Sequence, residues 1–175
     1  MRKTITIIGL FSSSYLAFSQ VILGEGKTEP SSSSISLEFG NENKGIVLPW
    51  VNNATTMSNA VSGTLVLDVT DRKVKVKLNK GWQEVTPAST VFINTTLQDG
   101  IQDKTTTGAV IGGDGNTSTP GVLVLEDANK AMQLPMVASP HLNIVKPAAG
   151  MLAYDTVSKL VCIYNGSEWA FWKPE

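Results

Sequence analysis

The chain is poor in the residues that chemistry most often needs: among 175 residues it holds one cysteine, Cys162, and one histidine, His141. A lone cysteine excludes an intramolecular disulfide, and its position excludes a lipid-bearing cysteine just after an export signal. One His and one Cys cannot fill the three or four protein positions that zinc usually takes. A Ser-His-Asp or Cys-His device would have to use His141, yet the sequence has no Gly-x-Ser-x-Gly elbow or comparable nucleophile context. No catalytic, metal-binding or cofactor-binding residues are therefore assigned. Charge is also scarce, at 17% of residues with a formal net charge of −1. That balance offers no bulk attraction to nucleic acid or anionic lipid.

Long apolar runs are missing too, except at the start. Arg2 and Lys3 precede an apolar stretch over 5–18, and Ala17-Phe18-Ser19 forms a small-x-small cleavage site before Gln20. This reads as a signal peptide over 1–19. The stretch is short for the roughly 20 residues a bilayer needs, and no later segment could span one. The expected product begins at Gln20, is secreted or held at the outer cell surface, and carries a net charge of −3, twelve basic against 15 acidic residues.

What remains is rich in Ser, Thr, Asn and Gly between short apolar runs, a mixture that favours many short strands joined by turns. It also repeats itself. Asn43-Lys44-Gly45-Ile46-Val47-Leu48-Pro49-Trp50-Val51 returns 86 positions later as Asn129-Lys130-Ala131-Met132-Gln133-Leu134-Pro135-Met136-Val137, identical at five of nine positions. After a variable loop the spacing becomes 87. Gly63, Leu65, Asp68, Val74, Trp82 and Pro87 then fall on Gly150, Leu152, Asp155, Val161, Trp169 and Pro174, and upstream Leu37-Glu38 matches Leu125-Glu126. Repeats of this kind mark duplicated structural units. The expected organisation is a flexible leader over 20–34, one β module over 35–87, a connector with short strands over 88–121, and a second module over 122–174.

Each module reads as a small β-meander. Leu65 and Leu67 alternate with polar or outward positions, Val69-Thr70-Asp71-Arg72 turns, and Val74, Val76 and Leu78 alternate with Lys73, Lys75 and Lys77. That lysine alternation predicts one wet face. Trp82 opens a third strand and is expected to cover the open end of the hairpin. In the second copy Cys162 and Tyr164 replace Lys75 and Lys77, and the strand ends in Trp169, Phe171 and Trp172, so both faces of that hairpin are apolar. Cys162, with no nearby cation to stabilise a thiolate, reads as a small hydrophobe. A unit this small buries only about 60% of its unfolded surface. The second hairpin therefore needs a cover: the first copy, the connector, or the same hairpin of another chain. Helix is expected only after Ser139-Pro140, an N-cap followed by proline at the first helical position. The connector predicts strands at Val91-Phe92-Ile93 and Ala109-Val110-Ile111.

The order Leu-Glu, Asn-Lys-Gly-Ile-Val-Leu-Pro, a loop, Gly-x-Leu-x-Leu/Tyr-Asp and Tyr-Asn-Gly-Ser-x-Trp is similar to a module of secreted Bacteroidota proteins. It also resembles distal modules of tail-fibre-like proteins from their phages. The second copy carries it at Leu125-Glu126, 130–137, 148–156 and 164–169, and the first copy departs from it with Asn79-Lys80-Gly81 in place of Asn-Gly-Ser. The resemblance implies extracellular display as an assembled or trimeric β-structure and no catalytic residues.

Other motifs have plain readings. Gly112-Gly113-Asp114-Gly115-Asn116-Thr117-Ser118 resembles the opening of a calcium loop, but the twelfth position from Asp114 is Leu125, where a bidentate glutamate is required. Asp68 and Asp155 each end a strand before a turn, where a carboxylate caps backbone N–H groups. Trp82 and Trp169 are expected to pack. Trp50, Cys162, Tyr164, Phe171 and Trp172 are the candidates for an interface or ligand surface. The expected partners are a second copy of the chain, another surface protein, or a glycan. The expected fold class is mainly β, two repeated meander modules with short connecting helices that oligomerise, with a structural or adhesive role. The alternative is a carbohydrate-binding module using exposed tryptophans.

Overall fold

Short apolar alternations broken by Gly, Asn and Asp can only form short strands, and that is what the chain builds. The computed structural model describes residues 20–96, 98–101, 108–113, 118–119 and 121–172. The expected signal segment, the middle of the glycine-rich loop at 114–117 and Pro174 lie outside the described residues.

The chain is mainly β. First come β1 (Val21–Leu23), β2 (Ile35–Phe39), β3 (Ile46–Val47), β4 (Trp50–Val51), a 3-10 turn at Ala54–Thr56, β5 (Leu65–Asp68), β6 (Lys73–Leu78) and β7 (Gly81–Glu84). The second half runs β8 (Ala109–Gly112), β9 (Leu123–Glu126), β10 (Ala131–Met132), β11 (Met136–Val137), α1 (Pro140–Asn143), β12 (Met151–Asp155), β13 (Leu160–Tyr164) and β14 (Trp169–Trp172).

The two halves repeat one plan. In each, an antiparallel meander (β5-β6-β7, β12-β13-β14) takes a two-residue parallel strand on its outer edge (β4 on β5, β11 on β12). The hairpin turns match in detail: Arg72 and Lys159, 87 apart, both adopt the left-handed region, with φ of 57° and 60°. Gly63 and Gly150 lead into the first meander strands with φ of 95° and 78°, a conformation that costs glycine little and other residues more.

The plan also extends further upstream than the matched residues suggest. β1 pairs parallel with β2 with Val21 opposite Leu37, and β8 pairs parallel with β9 with Ile111 opposite Leu125. Within the segment 20–34, expected as a flexible leader, Val21–Leu23 forms β1, and Lys27 and Ser31 both bind Glu38. Likewise the last strand of the expected connector, β8, opens the second unit. Val91-Phe92-Ile93 forms no strand; Ile93 packs against the core and Phe92 lies exposed under the Arg72 guanidinium.

The units interlock instead of sitting side by side. β2 carries β10 of the second unit on its free edge, in parallel, and β3 of the first unit pairs antiparallel with β12 of the second. Parallel strands stacked across successive units give the chain a solenoid-like arrangement. The main core lies between the units: Leu48, Leu67 and Val74 of the first meet Leu152 and Ile163 of the second. A second core, Val137, Ile144, Ala153 and Cys162, closes the other face of the β12–β13 hairpin, with Trp169 at its rim. Both apolar faces of that hairpin are therefore covered within one chain, one by the first copy and one by the segment around α1.

Two local expectations are corrected. Ser139 does precede a one-turn helix with proline at its start, but it is left-handed (φ 46°) and its side chain makes no cap bond. Its N–H donates instead to Asp155 Oδ1 at 3.0 Å, so a tertiary contact sets its conformation. Lys75 is buried, not part of a wet face, because two carboxylates neutralise it.

Candidate functional site

The matched aspartates sit at the same place in each unit and do the same work. Asp68 is fully buried; its Oδ2 accepts from the N–H of Ala54 (2.9 Å) and from Lys75 Nζ (2.9 Å), and its Oδ1 from the N–H of Asp71 (3.1 Å). Asp155 is equally buried; its Oδ1 accepts from the N–H groups of Ser139 (3.0 Å) and Val157 (2.8 Å), and its Oδ2 from the Ser158 hydroxyl (2.8 Å). Each carboxylate ties the loop after the parallel strand to the turn of the hairpin. Burial alone would push both carboxyls up, but the donors outweigh it and hold both below the ordinary aspartate value.

Around them the copies have exchanged partners in register. Asp71 and Lys75 in the first unit become Ser158 and Cys162 in the second, each 87 positions on. Lys75 bridges Asp68 and Asp71; burial pulls its pKa down, and the two carboxylates more than reverse that. In the second unit the Ser158 hydroxyl supplies the donor, and the position of the lysine is filled by a buried thiol. Burial, aided by Asp155, pushes the Cys162 thiol up to about 12. A thiol so shifted stays protonated and unreactive at neutral pH. Cys162 belongs to the core and is not a surface residue.

The tryptophans divide into packed and open. Trp169 lies against the second core with Tyr164 beside it, ring centroids 5.4 Å apart, and the Tyr164 hydroxyl donates to the Gly166 carbonyl. Trp82 is half-buried, with Lys77 Nζ 5.6 Å from its ring centroid. Trp50 donates its indole N–H to the Ala149 carbonyl at 2.8 Å, so its polar edge is committed to the junction between the units. Trp50 also lines a groove of about 500 Å³, together with Asn52, Asn53, Thr56, Gln98 and Asp99, among others. An aromatic wall with amide, hydroxyl and carboxylate groups around it is the composition that sugar recognition uses.

Phe171 and Trp172 lie on β14, the edge strand of its sheet, and point to opposite faces. Phe171 meets His141 edge to face at 5.6 Å. Trp172 is 58% exposed. The equivalent strand of the first unit, β7, carries Gln83 and Glu84 at the positions of Ala170 and Phe171, and Glu84 pairs with Lys73. Two strands built alike thus present a polar edge in one unit and an apolar edge in the other.

The polar groove residues carry no signal in the sequence, because they come from two segments some 40 residues apart with no shared motif. Glu38, buried and bound by Lys27 and Ser31, was visible only as half of the matched Leu-Glu pair. Asn165 is fully buried, its Oδ1 taking the N–H groups of Ser167 and Glu168 while its amide donates to the Pro87 carbonyl of the first unit. Among the described residues no three His, Cys, Asp or Glu side chains gather as metal ligands would. No described helix is long and apolar enough to cross a membrane. No family model matches the chain, and neither a curated protein nor a solved structure matches it.

Proposed function

We propose that this chain is an exported structural or adhesive protein without catalytic activity, displayed outside the cell and assembling with copies of itself. The observation that carries the reading is how the repeated polar residues are used: both matched aspartates are buried and bonded to the backbone of a preceding loop and of their own turn, and to a neighbouring side chain. The duplication preserves shape. The apolar residues left outward include Phe171 and Trp172 on β14, where an edge strand is a ready place for another chain to join. The resemblance to displayed modules of Bacteroidota and phage fibres agrees with this role. Cell fractionation with mass spectrometry of the N-terminus tests export: mature chain beginning at Gln20 outside the cytoplasm is expected, and an intact N-terminus in the cytoplasm would overturn it. Sedimentation velocity tests assembly.

A second reading, favoured by the groove beside Trp50, is glycan binding. Polysaccharide titration followed by tryptophan fluorescence is the test. Binding abolished by Asp99→Ala and Gln98→Ala would support it, and an absence of binding across a glycan array would end it.

A further inference from the structure

The junction between the two units is heterologous: the first unit offers one side of the repeat and the second receives it with another. In a repeated structure such a junction leaves the complementary surface unused at each end.

On the receiving side, a Cβ placed at Gly150 would lie 3.3 Å from Leu67 Cβ and 3.5 Å from Trp50 Nε1, so this glycine is seated against the first unit. Its equivalent, Gly63, has the same left-handed conformation, and a Cβ placed there would meet no described atom within 4 Å. Leu152 and Ile163 are buried by the first unit, while their equivalents Leu65 and Val76 are half-buried. Asn165 is fully buried against Pro87, and its equivalent Leu78 is 42% exposed.

On the offering side the pattern reverses. Leu67 is fully buried, and its equivalent Tyr154 is half-buried. Trp50 packs into the junction, and its equivalent Met136 is 42% exposed. Val85 packs against the same core, and its equivalent is the exposed Trp172. The backbone agrees: β2 carries strands on both edges, whereas β9 pairs among the described residues with β8 alone. Leu65 and Val161 touch the rim of the shared core, so the open surfaces continue directly from it.

We propose that a second copy of this chain docks head to tail, presenting Gly63, Val76 and Leu78 to Met136, Tyr154 and Trp172 of the first, and so repeats between chains the junction that joins the units within one. The occupant is fixed by continuity with the internal junction: the same chain carries the surface that fits the offering side. A heterologous contact of this kind closes into a ring if its rotation permits and otherwise extends into a fibre. The inference rests on the assembly reading above and specifies its geometry.

The test is sedimentation velocity of the purified chain and of two exposed-residue variants, Trp172→Asp on the offering side and Leu78→Asp on the receiving side, with circular dichroism to establish that each folds. Wild-type chain is expected to sediment faster as concentration rises. Each variant alone is expected to remain monomeric. An equimolar mixture is expected to give one discrete dimer, because it joins the intact offering side of the Leu78→Asp chain to the intact receiving side of the Trp172→Asp chain. Wild-type chain that stays monomeric to several hundred micromolar would overturn both this inference and the assembly reading. Wild-type association with no dimer in the mixture, or a variant that associates as wild type does, would overturn the head-to-tail geometry and leave assembly standing.

Discussion

Lys75 and Cys162 occupy one position of a duplicated unit and could hardly differ more in chemistry, yet each is stable because its neighbours changed with it. Lys75 neutralises buried Asp68 and reaches Asp71; Cys162 sits where Ser158 has already satisfied Asp155. Removing one member of a buried ion pair strands the other, at a cost of about 3–5 kcal/mol. Lys75→Ala is therefore expected to destabilise by about 3 kcal/mol in urea unfolding, and Lys75→Cys combined with Asp71→Ser, which installs the second unit's arrangement, is expected to cost much less than the sum of its parts. Asp155→Ala strands three donors and is expected to cost about 2–4 kcal/mol, since an unmet buried hydrogen-bonding group costs about 1–3 kcal/mol. Both aspartates have folded pKa values below their unfolded ones, so their stabilisation is present above the unfolded value and is lost as pH falls through the lower folded value. Urea midpoints should hold from neutral pH down to about pH 4 as far as these groups are concerned and fall below it. Lys159 is exposed and left-handed, a conformation that costs a non-glycine residue about 1–2 kcal/mol, against about 0.5–1 kcal/mol of extra chain entropy for glycine. Lys159→Gly is expected to stabilise by about 0.5–1 kcal/mol, measured as a raised urea midpoint.

At the scale of elements, what the sequence made legible and what it hid follow from how local each pairing is. The meanders β5-β6-β7 and β12-β13-β14 join neighbours through short turns, and the alternation of Val74, Val76 and Leu78 with lysines, together with a repeat that preserved the turns, marked them in advance. The parallel pairs β1–β2 and β8–β9, and β3 lent to β12, join segments of two to five residues across long separations, too short to carry a period of their own. The burial of Lys75 is hidden for a related reason: alternation describes which face a residue is on, and only the fold shows that Asp68 and Asp71 lie on that face too. Of the candidate surface residues, Phe171 and Trp172 are outward, Trp50 is part junction and part groove wall, and Cys162 is interior. The lent strand makes its own prediction. A Cβ at Gly45 would stand 2.6 Å from Met151 Cγ and 2.7 Å from the Leu152 carbonyl oxygen, and the backbone atom cannot swing aside. Gly45→Ala is expected to cost about 1–3 kcal/mol in urea unfolding, the usual range for overpacking, whereas Gly63→Ala meets no neighbour and carries only the strain of its positive φ.

For the whole molecule the question is whether two similar units unfold as two bodies or one. Each unit taken alone would expose part of its apolar face, because Leu48, Leu67 and Val74 of the first share one core with Leu152 and Ile163 of the second, with Trp50, Leu65, Val85 and Ile93 packed around it. Backbone bonds cross the junction as well, from the N–H of Leu48 to the Gly150 carbonyl at 3.0 Å and from the N–H of Gln133 to the Leu37 carbonyl at 2.9 Å. In a repeat array the coupling between neighbours competes with the stability of each unit, and here the shared core places the greater part of the stabilisation in the coupling. Unfolding should then be a single transition, with fluorescence of Trp82 in the first unit and Trp169 in the second reporting one midpoint when each is followed in a chain lacking the other tryptophans. Leu67→Ala opens a cavity at the junction, for which about 2–5 kcal/mol is the usual cost. It is expected to move both midpoints together and by the same amount, although Leu67 belongs to the first unit only. Separate midpoints, or a shift seen by Trp82 alone, would mean that the units are stable individually and that the junction is a contact between finished bodies instead of the core on which both are built.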